Sequence, residues 1–292
     1  LIASDLDLVS IATPTVSHTG LAAAVLMAGK HVLVEVPLAG LAADARILAG
    51  MAREQVRIAA VAYALPFVPT MRLIADQIAQ GTIGTPRLLR MAYFASLGRS
   101  AASERWFWEA ENGGGALAGF VSHGLELAGR WFGPVREVEA SLAALLPAPP
   151  LPPGISPADD TGVVTLHFES GMLATYTYSA ATALRRNVLE LHGTAGSFLV
   201  DNYGEELQLL AMEAEKPRRM YAPAEYLEDT RGQNGLLGGF QALVERLSGS
   251  LRGESAPTDL PTFETTLEVV RLCEAARLAS RERRRVRPDE ID

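Results

Sequence analysis

The chain has 292 residues, of which 48% are hydrophobic and 21% charged, a composition that excludes an intrinsically disordered chain and supports two domains with a sizeable core. The formal net charge of −8 argues against a nucleic-acid partner and against an anionic membrane surface. A single cysteine excludes an intramolecular disulfide, no apolar run approaches the ~20 residues of a membrane span, and no signal peptide is visible, so we expect a cytoplasmic protein.

The first 64 residues alternate short apolar runs with helical patterns. Buried strands are predicted over residues 8–12, 31–35 and 58–64, with helices over 17–27 and 41–54 between them. Such strand–helix–strand units form parallel sheets with right-handed crossovers. Because ligands of open α/β sheets bind at the carboxyl ends of the strands, the residues ending the first two strands are candidate binding residues. These are Ala12, Thr13 and Pro14 on the first strand, and Glu35, Val36 and Pro37 on the second.

The pattern changes after a proline-flanked break at residues 66–69. A helix over 70–80, a strand over 87–94, an aromatic and glycine-rich loop over 106–115 and a helix over 117–131 are predicted next. From residue 135 the signals are those of antiparallel strands, over 138–146, 163–168, 172–178, 188–192, 197–200 and 207–212, before helices over 236–247 and 262–279. We therefore expect a parallel α/β unit over residues 1–66 and a second domain over 67–292, with the final helix, about 262–280, packing back on the first unit.

The predicted second sheet is open, and helices cover one of its faces. On one strand Tyr176 and Tyr178 alternate with Thr175 and Thr177, so one pair lines each face. We expect the uncovered face to carry alternating apolar and aromatic residues, too many to leave in water. The prediction is a homodimer or homotetramer formed through that face.

Several motifs occur in a specific order: Thr13-Pro14 with His18, Ala28-Gly-Lys-His-Val-Leu-Val-Glu35, Phe67 and Pro69 before Gly81-Thr-Ile-Gly84, Gly113-Gly-Gly115 before Ser122-His123, Asp159-Asp160-Thr161, and Gly193-Thr-Ala-Gly196. Together they resemble the Gfo/Idh/MocA oxidoreductases, the family of glucose–fructose oxidoreductase and inositol dehydrogenase. The resemblance implies a fold of class α/β plus α+β, in which the C-terminal half of a Rossmann-like parallel sheet precedes an open, mostly antiparallel sheet. It also implies NAD or NADP as cofactor and a sugar, cyclitol or related hydroxyl compound as substrate.

Three departures from the family pattern affect the expected activity. The family's N-terminal strand, glycine-rich loop and helix are missing before residue 8; we expect upstream coding sequence to supply them, and the present chain to bind NAD(H) or NADP(H) poorly, because that loop holds the pyrophosphate. Val36 replaces the family's catalytic lysine. Gly119 stands where the family usually has an aspartate, four residues before His123.

The resemblance assigns the catalytic role to His123, because an imidazole is a competent base at neutral pH. The alternative is a helix histidine bonded to a neighbouring carbonyl. Cofactor contacts are assigned to Ala12, Thr13, Pro14, His18, Glu35, Val36 and Pro37. Thr13-Pro14 is otherwise a plain strand-to-helix turn, and His18 faces either the cofactor or solvent. A buried Glu35 would need a partner, which favours a functional role.

Substrate contacts are assigned to Trp106, Trp108, Ser122 and Arg186. The two tryptophans either form an apolar wall for a sugar ring or pack under their loop. Arg186 and its neighbour Arg185 either reach a substrate hydroxyl or carboxylate or remain solvated in a loop. No metal site is expected, since the five histidines show no close ligand spacing.

Two functions of different classes follow from these observations. The leading hypothesis is a nicotinamide-dependent oxidoreductase of a sugar or polyol, weakened by Val36 and Gly119. The alternative is a non-catalytic relative that binds a nucleotide or sugar as a sensor or scaffold. A third possibility is a reductase in which substrate or water supplies the proton, as in the lysine-free biliverdin reductases.

Overall fold

The first structural unit is a three-stranded parallel sheet flanked by helices. The computed structural model of the chain describes residues 3–96, 105–147, 150–202, 206–233, 235–254 and 259–291. The unit contains β1 (Leu8–Ile11), a 3₁₀ turn (Thr15–Ser17), α1 (His18–Met27), β2 (His31–Val34), α2 (Ala42–Glu54) and β3 (Ala59–Val61). The strand order is β1-β2-β3, with Leu8 opposite His31 and Val32 opposite Ala59. This is the predicted half of a Rossmann-like sheet.

The rest of the chain forms a larger sheet with its own helices. Its elements are α3 (Pro69–Ala79), β4 (Pro86–Ser96), α4 (Ser122–Phe132), β5 (Val135–Ala143), β6 (Thr161–Phe168), β7 (Leu173–Ser179), β8 (Ala181–Gly193), β9 (Gly196–Asp201), β10 (Glu206–Ala211), β11 (Arg218–Tyr221), α5 (Ala224–Glu228), α6 (Gly235–Leu251) and α7 (Phe263–Glu282). The sequence patterns missed β11 and α5, and they predicted a longer β3. The short amphipathic segments after residue 212 carry too few apolar residues for a periodic signal.

The eight strands of this sheet do not follow chain order. The order is β11-β10-β9-β8-β4-β7-β6-β5. Strand β4, the first in sequence, lies in the middle, antiparallel to β8 and parallel to β7. All other pairs are antiparallel, so the sheet is open and mostly antiparallel, as expected.

The two faces of the large sheet differ in polarity, but not as the sequence suggested. Tyr176 and Tyr178 are both buried on the helix-covered face, where the Tyr176 hydroxyl donates to the Gly124 carbonyl of α4 at 3.0 Å. The open face carries their threonine neighbours and ion pairs such as Arg90–Glu190 at 2.6 Å. The aromatic residues of β7 therefore stabilise the packing of α4, and the expectation of an aromatic outer face is wrong for these tyrosines. Assembly through this face stays a prediction.

The last long helix contacts both units. Glu274 of α7 accepts a hydrogen bond from the backbone N–H of Ala42 at the start of α2 (2.5 Å), and Ser280 accepts one from Leu142 of β5 (2.9 Å). Just before α7, the carbonyl of Pro261 accepts from the N–H of Val61 at 2.8 Å. These bonds join the small sheet to the large one. Within the described ranges, no helix is both long and apolar enough to cross a membrane.

Candidate active site

His123 lies in the first turn of α4, directly after an unusual helical turn. Residues Leu117–Val121 form a π-turn that continues into α4. Its start is held by Asp159, whose carboxylate accepts from the N–H of Leu117 at 2.8 Å and from the hydroxyl of Tyr178 at 2.7 Å. Burial raises the pKa of Asp159, and these two donors oppose that rise because they stabilise the charged carboxylate. The sheet therefore sets the position of the helix that carries His123.

The three glycines before this helix allow the chain to pass between two neighbours. Gly113 has φ +75°, and a Cβ atom there would lie 2.7 Å from the Cβ of Thr15 in the first unit. Gly115 has φ +106°, and its Cβ would lie 2.5 Å from a carboxylate oxygen of Asp159. A side chain at Gly113 would push the loop away from the first unit, and one at Gly115 would push it away from Asp159. The glycines thus bring the His123 helix against the carboxyl end of β1.

The His123 side chain is half-buried, with its Nδ1 atom enclosed, and its imidazole is neutral at physiological pH. Burial lowers its pKa to about 4. Its ring lies edge-on to that of Tyr63, with centroids 5.4 Å apart and an interplanar angle of 82°. Its Nδ1 atom has no hydrogen-bond partner among the described residues, so the alternative of a carbonyl-bonded helix histidine is not seen there. Because Nδ1 is enclosed by protein atoms, proton exchange with another molecule is left to the Nε2 atom of the ring.

His123 lines a cavity of about 450 Å³, within the usual range of about 300–1,000 Å³ for small-molecule sites. The cavity is bounded by β4, the π-turn, α4, β7, β8 and the start of α6. Its lining residues are Tyr93, Phe94, Ala95, Ser96, Ala116, Gly119, Phe120, His123, Tyr178, Ser179, Arg185, Arg186, Asn187, Asn202 and Leu236. Gly119 leaves room beside His123, because the nearest atom to a Cβ there is Cε2 of Phe107 at 3.7 Å.

Three of the six strand-end residues of the small sheet are exposed, whereas Pro37 is buried. Ala12 and Thr13 are exposed and Pro14 is half-buried. Glu35 is also exposed, so the argument from a buried carboxylate is wrong for this residue: it follows Val34, the last residue of β2, and its backbone N–H donates to the Ile11 carbonyl at 2.9 Å while its side chain lies outside the core. Val36 is half-buried and packs against the hydrophobic core, and it is not among the described residues that line the cavity.

His18 faces neither solvent nor an open cleft. It is 1% exposed, with Nε2 2.8 Å from the carbonyl oxygen of Thr13 and Nδ1 2.9 Å from that of Pro37. The imidazole thus joins the two loops that follow β1 and β2. Both ring nitrogens lie within hydrogen-bond distance of backbone carbonyl oxygens. The alternative that His18 faces solvent is wrong, and its contact with a cofactor stays a prediction.

The predicted substrate residues occupy different environments. Trp108 is 5% exposed and contacts Phe107 edge-on, so it packs under its loop and does not offer a ring face to a sugar. Ser122 is fully buried, and its hydroxyl donates to the carbonyl of Ala118 at 2.5 Å. Both are structural rather than contact residues, because burial removes them from the cavity surface. Trp106 is half-buried.

Arg186 does reach the cavity, but its charge is already paired. Its Nη2 lies 2.8 Å from Asp201 of the neighbouring strand, and its Nε lies 3.1 Å from the other carboxylate oxygen. The neighbouring Arg185 lines the same cavity. Both lie on β8 and not in a loop between strands, because β8 begins at Ala181.

Two buried polar residues near His123 had no part in the sequence analysis. Tyr63 follows β3, and burial raises the pKa of its phenol. Glu126 lies three residues after His123 and accepts two hydrogen bonds from Arg130, at 2.6 and 3.0 Å; burial raises its pKa. The sequence contains a signal for each residue: Tyr63 lies at the end of a predicted strand, and Glu126 shares a helix face with His123. In the part of the chain that the structure describes, no group of three or more acidic, histidine or cysteine side chains could hold a metal ion.

Comparison with known proteins gives two adjoining matches to one family. Residues 1–63 match the Oxidoreductase family, NAD-binding Rossmann fold, and residues 71–199 match the GFO/IDH/MocA C-terminal domain. The levoglucosan dehydrogenase of Pseudarthrobacter phenanthrenivorans is 27% identical over 237 residues, covering 74% of this chain and 60% of that protein. The 1,5-anhydro-D-fructose reductase of Ensifer adhaerens is 29% identical over 201 residues, covering 68% of this chain and 58% of the relative.

A solved structure of levoglucosan dehydrogenase, in complex with NADH and levoglucosan, superposes with a TM-score of 0.85. It is 22% identical, and the match covers 98% of this chain and 81% of the solved one. The matched segment spans 60% and 58% of the two curated relatives, so the chain corresponds to part of their length. Two models of one family match residues 1–63 and 71–199, and the fold and the sugar oxidoreductases among the relatives agree with them. This chain belongs to the Gfo/Idh/MocA oxidoreductase family.

Proposed function

We propose that the protein is an NAD- or NADP-dependent oxidoreductase acting on a hydroxyl group of a sugar or polyol, with His123 as the acid–base residue. The observation that carries the proposal is the neutral, half-buried imidazole of His123 on the wall of a ligand-sized cavity. Support comes from relatives whose names specify sugar chemistry, one of them solved with NADH and levoglucosan.

The small sheet has features that fit a dinucleotide at its carboxyl edge. Ala12, Thr13 and Glu35 are exposed there, which gives a ligand access to the backbone at the ends of β1 and β2. His18 holds the two loops in place through Thr13 and Pro37. A bound nicotinamide would supply the hydride acceptor or donor. The contribution of this chain is to bind and orient it next to the His123 helix.

Proton transfer falls to His123 because Val36 has no titratable group. In oxidation, the neutral imidazole takes the hydroxyl proton while the carbon loses its hydride. A pKa near 4 makes this imidazole a weak base, since the buried site disfavours the imidazolium. Loss of one acid–base group typically costs ~10²–10⁴-fold in rate. We therefore expect slow turnover compared with a lysine-containing site.

The test is a set of variants assayed for NAD(P)-dependent oxidation of polyols in the full-length protein. His123→Ala should abolish the residual activity, and Val36→Lys should raise the rate. His192→Ala, on the open face of β8, is the matched control and should leave the rate unchanged. Ordinary turnover in the parent protein that persists in His123→Ala would refute the assignment.

A non-catalytic binding role is the second candidate, and the packing of Val36 against the core favours it. A valine at this position stabilises the fold and supplies no proton donor of its own. This alternative predicts that a sugar or nucleotide binds, that no turnover is measured in the parent protein, and that Val36→Lys lowers stability without creating activity.

A further inference from the structure

Among the described residues that line the cavity beside His123, the charged side chains are two arginines. Its described lining residues include two arginines, one histidine and two asparagines, while no aspartate or glutamate is among them. The whole chain, by contrast, carries a formal charge of −8. An arrangement that excludes carboxylates from one cavity of an acidic protein favours a ligand that carries its own negative charge.

The two arginines of the cavity differ in how their charges are balanced. Arg186 makes a bidentate ion pair with Asp201, so its charge is neutralised within the protein. Arg185 is exposed and makes no ion pair or hydrogen bond with the residues that the structure describes. Its guanidinium has five N–H donors in a planar fork, which suits a carboxylate. Arg185 is therefore the group able to receive an anion.

A second element, the N-terminus of α6, places a partial positive charge beside the same cavity. Helix α6 begins at Gly235 and runs for 17 residues, and Leu236 in its first turn lines the cavity. The N-terminus of a helix of this length carries a partial positive charge. Gly119 contributes no opposing charge next to His123. Two elements, β8 and α6, thus bring positive charge to the cavity, and the π-turn brings no negative charge at Gly119.

We propose that the substrate of this site is a sugar acid, an aldonate or uronate, with Arg185 binding its carboxylate while a hydroxyl-bearing carbon lies at His123. This inference rests on the proposed oxidoreductase function and names its substrate class. The Asn187 side chain and the amide NH₂ of Asn202 are the neutral groups available for the remaining hydroxyls, since Oδ1 of Asn202 already accepts from the Asn187 backbone N–H at 3.0 Å. Neutral polyols bind the same cavity more weakly, because they leave the Arg185 charge without a partner.

The experiment measures binding by calorimetry for matched pairs that differ in one carboxylate: gluconate and glucitol, galactonate and galactitol, mannonate and mannitol. The full-length protein is used with NADH present, at low ionic strength. At least one aldonate should bind about tenfold or more tightly than its alditol, the effect of a hydrogen bond to a charged group. Arg185→Gln should remove this preference, while Arg87→Gln, an exposed arginine of β4 outside the cavity, should keep it.

The outcomes separate this inference from the function on which it rests. If no aldonate is preferred, or if the preference survives in Arg185→Gln, the substrate assignment is overturned, even where polyols are oxidised. If the aldonate preference depends on Arg185 and no hydroxyl compound is oxidised, the site assignment stands and the oxidoreductase proposal fails. Raising the salt concentration should weaken aldonate binding more than alditol binding, because the ion pair is solvent-accessible.

Discussion

The burial of His123 predicts a pH-dependent loss of stability that a single substitution removes. The pKa of this imidazole is about 4 in the folded chain, against about 6.5 in an unfolded one. Between these values the unfolded chain binds a proton that the folded chain does not. Because the unfolded state binds more protons, stability decreases as the pH falls below about 6.5 and stops decreasing below about 4.

The size of the effect follows from the two pKa values. Integrating the proton-binding difference gives about 2 kcal/mol less stability at pH 5 than at pH 7 from this group alone. Glu126 and Asp159 act in the opposite direction, because burial raises the pKa of each and so favours the folded state at low pH. The contribution of His123 to stability is therefore measured by comparing the parent with a His123 variant at each pH, and not from the pH dependence of the parent alone.

The assay is urea unfolding of the parent protein and of His123→Gln at pH 7, 6 and 5. The free energy of unfolding of the variant should rise relative to the parent by about 2 kcal/mol as the pH falls from 7 to 5. His192→Gln replaces an imidazole whose side chain is 42% exposed and serves as the control, with a smaller change. If the difference in unfolding free energy between the parent and His123→Gln stays constant within about 0.5 kcal/mol over this pH range, the pKa of His123 is not lowered in the folded chain.

Three further predictions concern the packing around the site. Gly113→Ala should destabilise the protein by more than Gly171→Ala, since both have positive φ but only Gly113 would place its Cβ 2.7 Å from Thr15; unfolding curves of the two variants decide this. His18→Phe should lower stability by about 1–3 kcal/mol and weaken NADH binding measured by fluorescence, because the loops after β1 and β2 lose their shared partner. Tyr63→Phe should change stability by less than about 1 kcal/mol, because the Ser122 hydroxyl that neighbours the phenol already donates to the Ala118 carbonyl; a larger loss in thermal unfolding would contradict that.

Local periodicity in the sequence determined most of the secondary structure. Apolar runs bounded by glycine and proline predicted β1, β2 and the strands from β5 to β10, and period-3.6 patterns predicted α1, α2, α3, α6 and α7 to within a few residues. The order of motifs around Thr13, Gly113 and His123 identified the family. These features depend on neighbouring residues, so a single sequence contains them.

The environments of the site residues were decided by the tertiary structure. Insertion of β4 between β7 and β8 depends on pairing between residues about 80 to 100 positions apart, for example Leu89 with Ala174 and Leu191, which no local pattern encodes. Contacts between elements distant in sequence also bury Trp108 and place His18 between two carbonyl oxygens, while Glu35 is exposed. Side-chain burial depends on which elements lie against each other, and that is set by the summed apolar contacts of the whole chain rather than by any one segment.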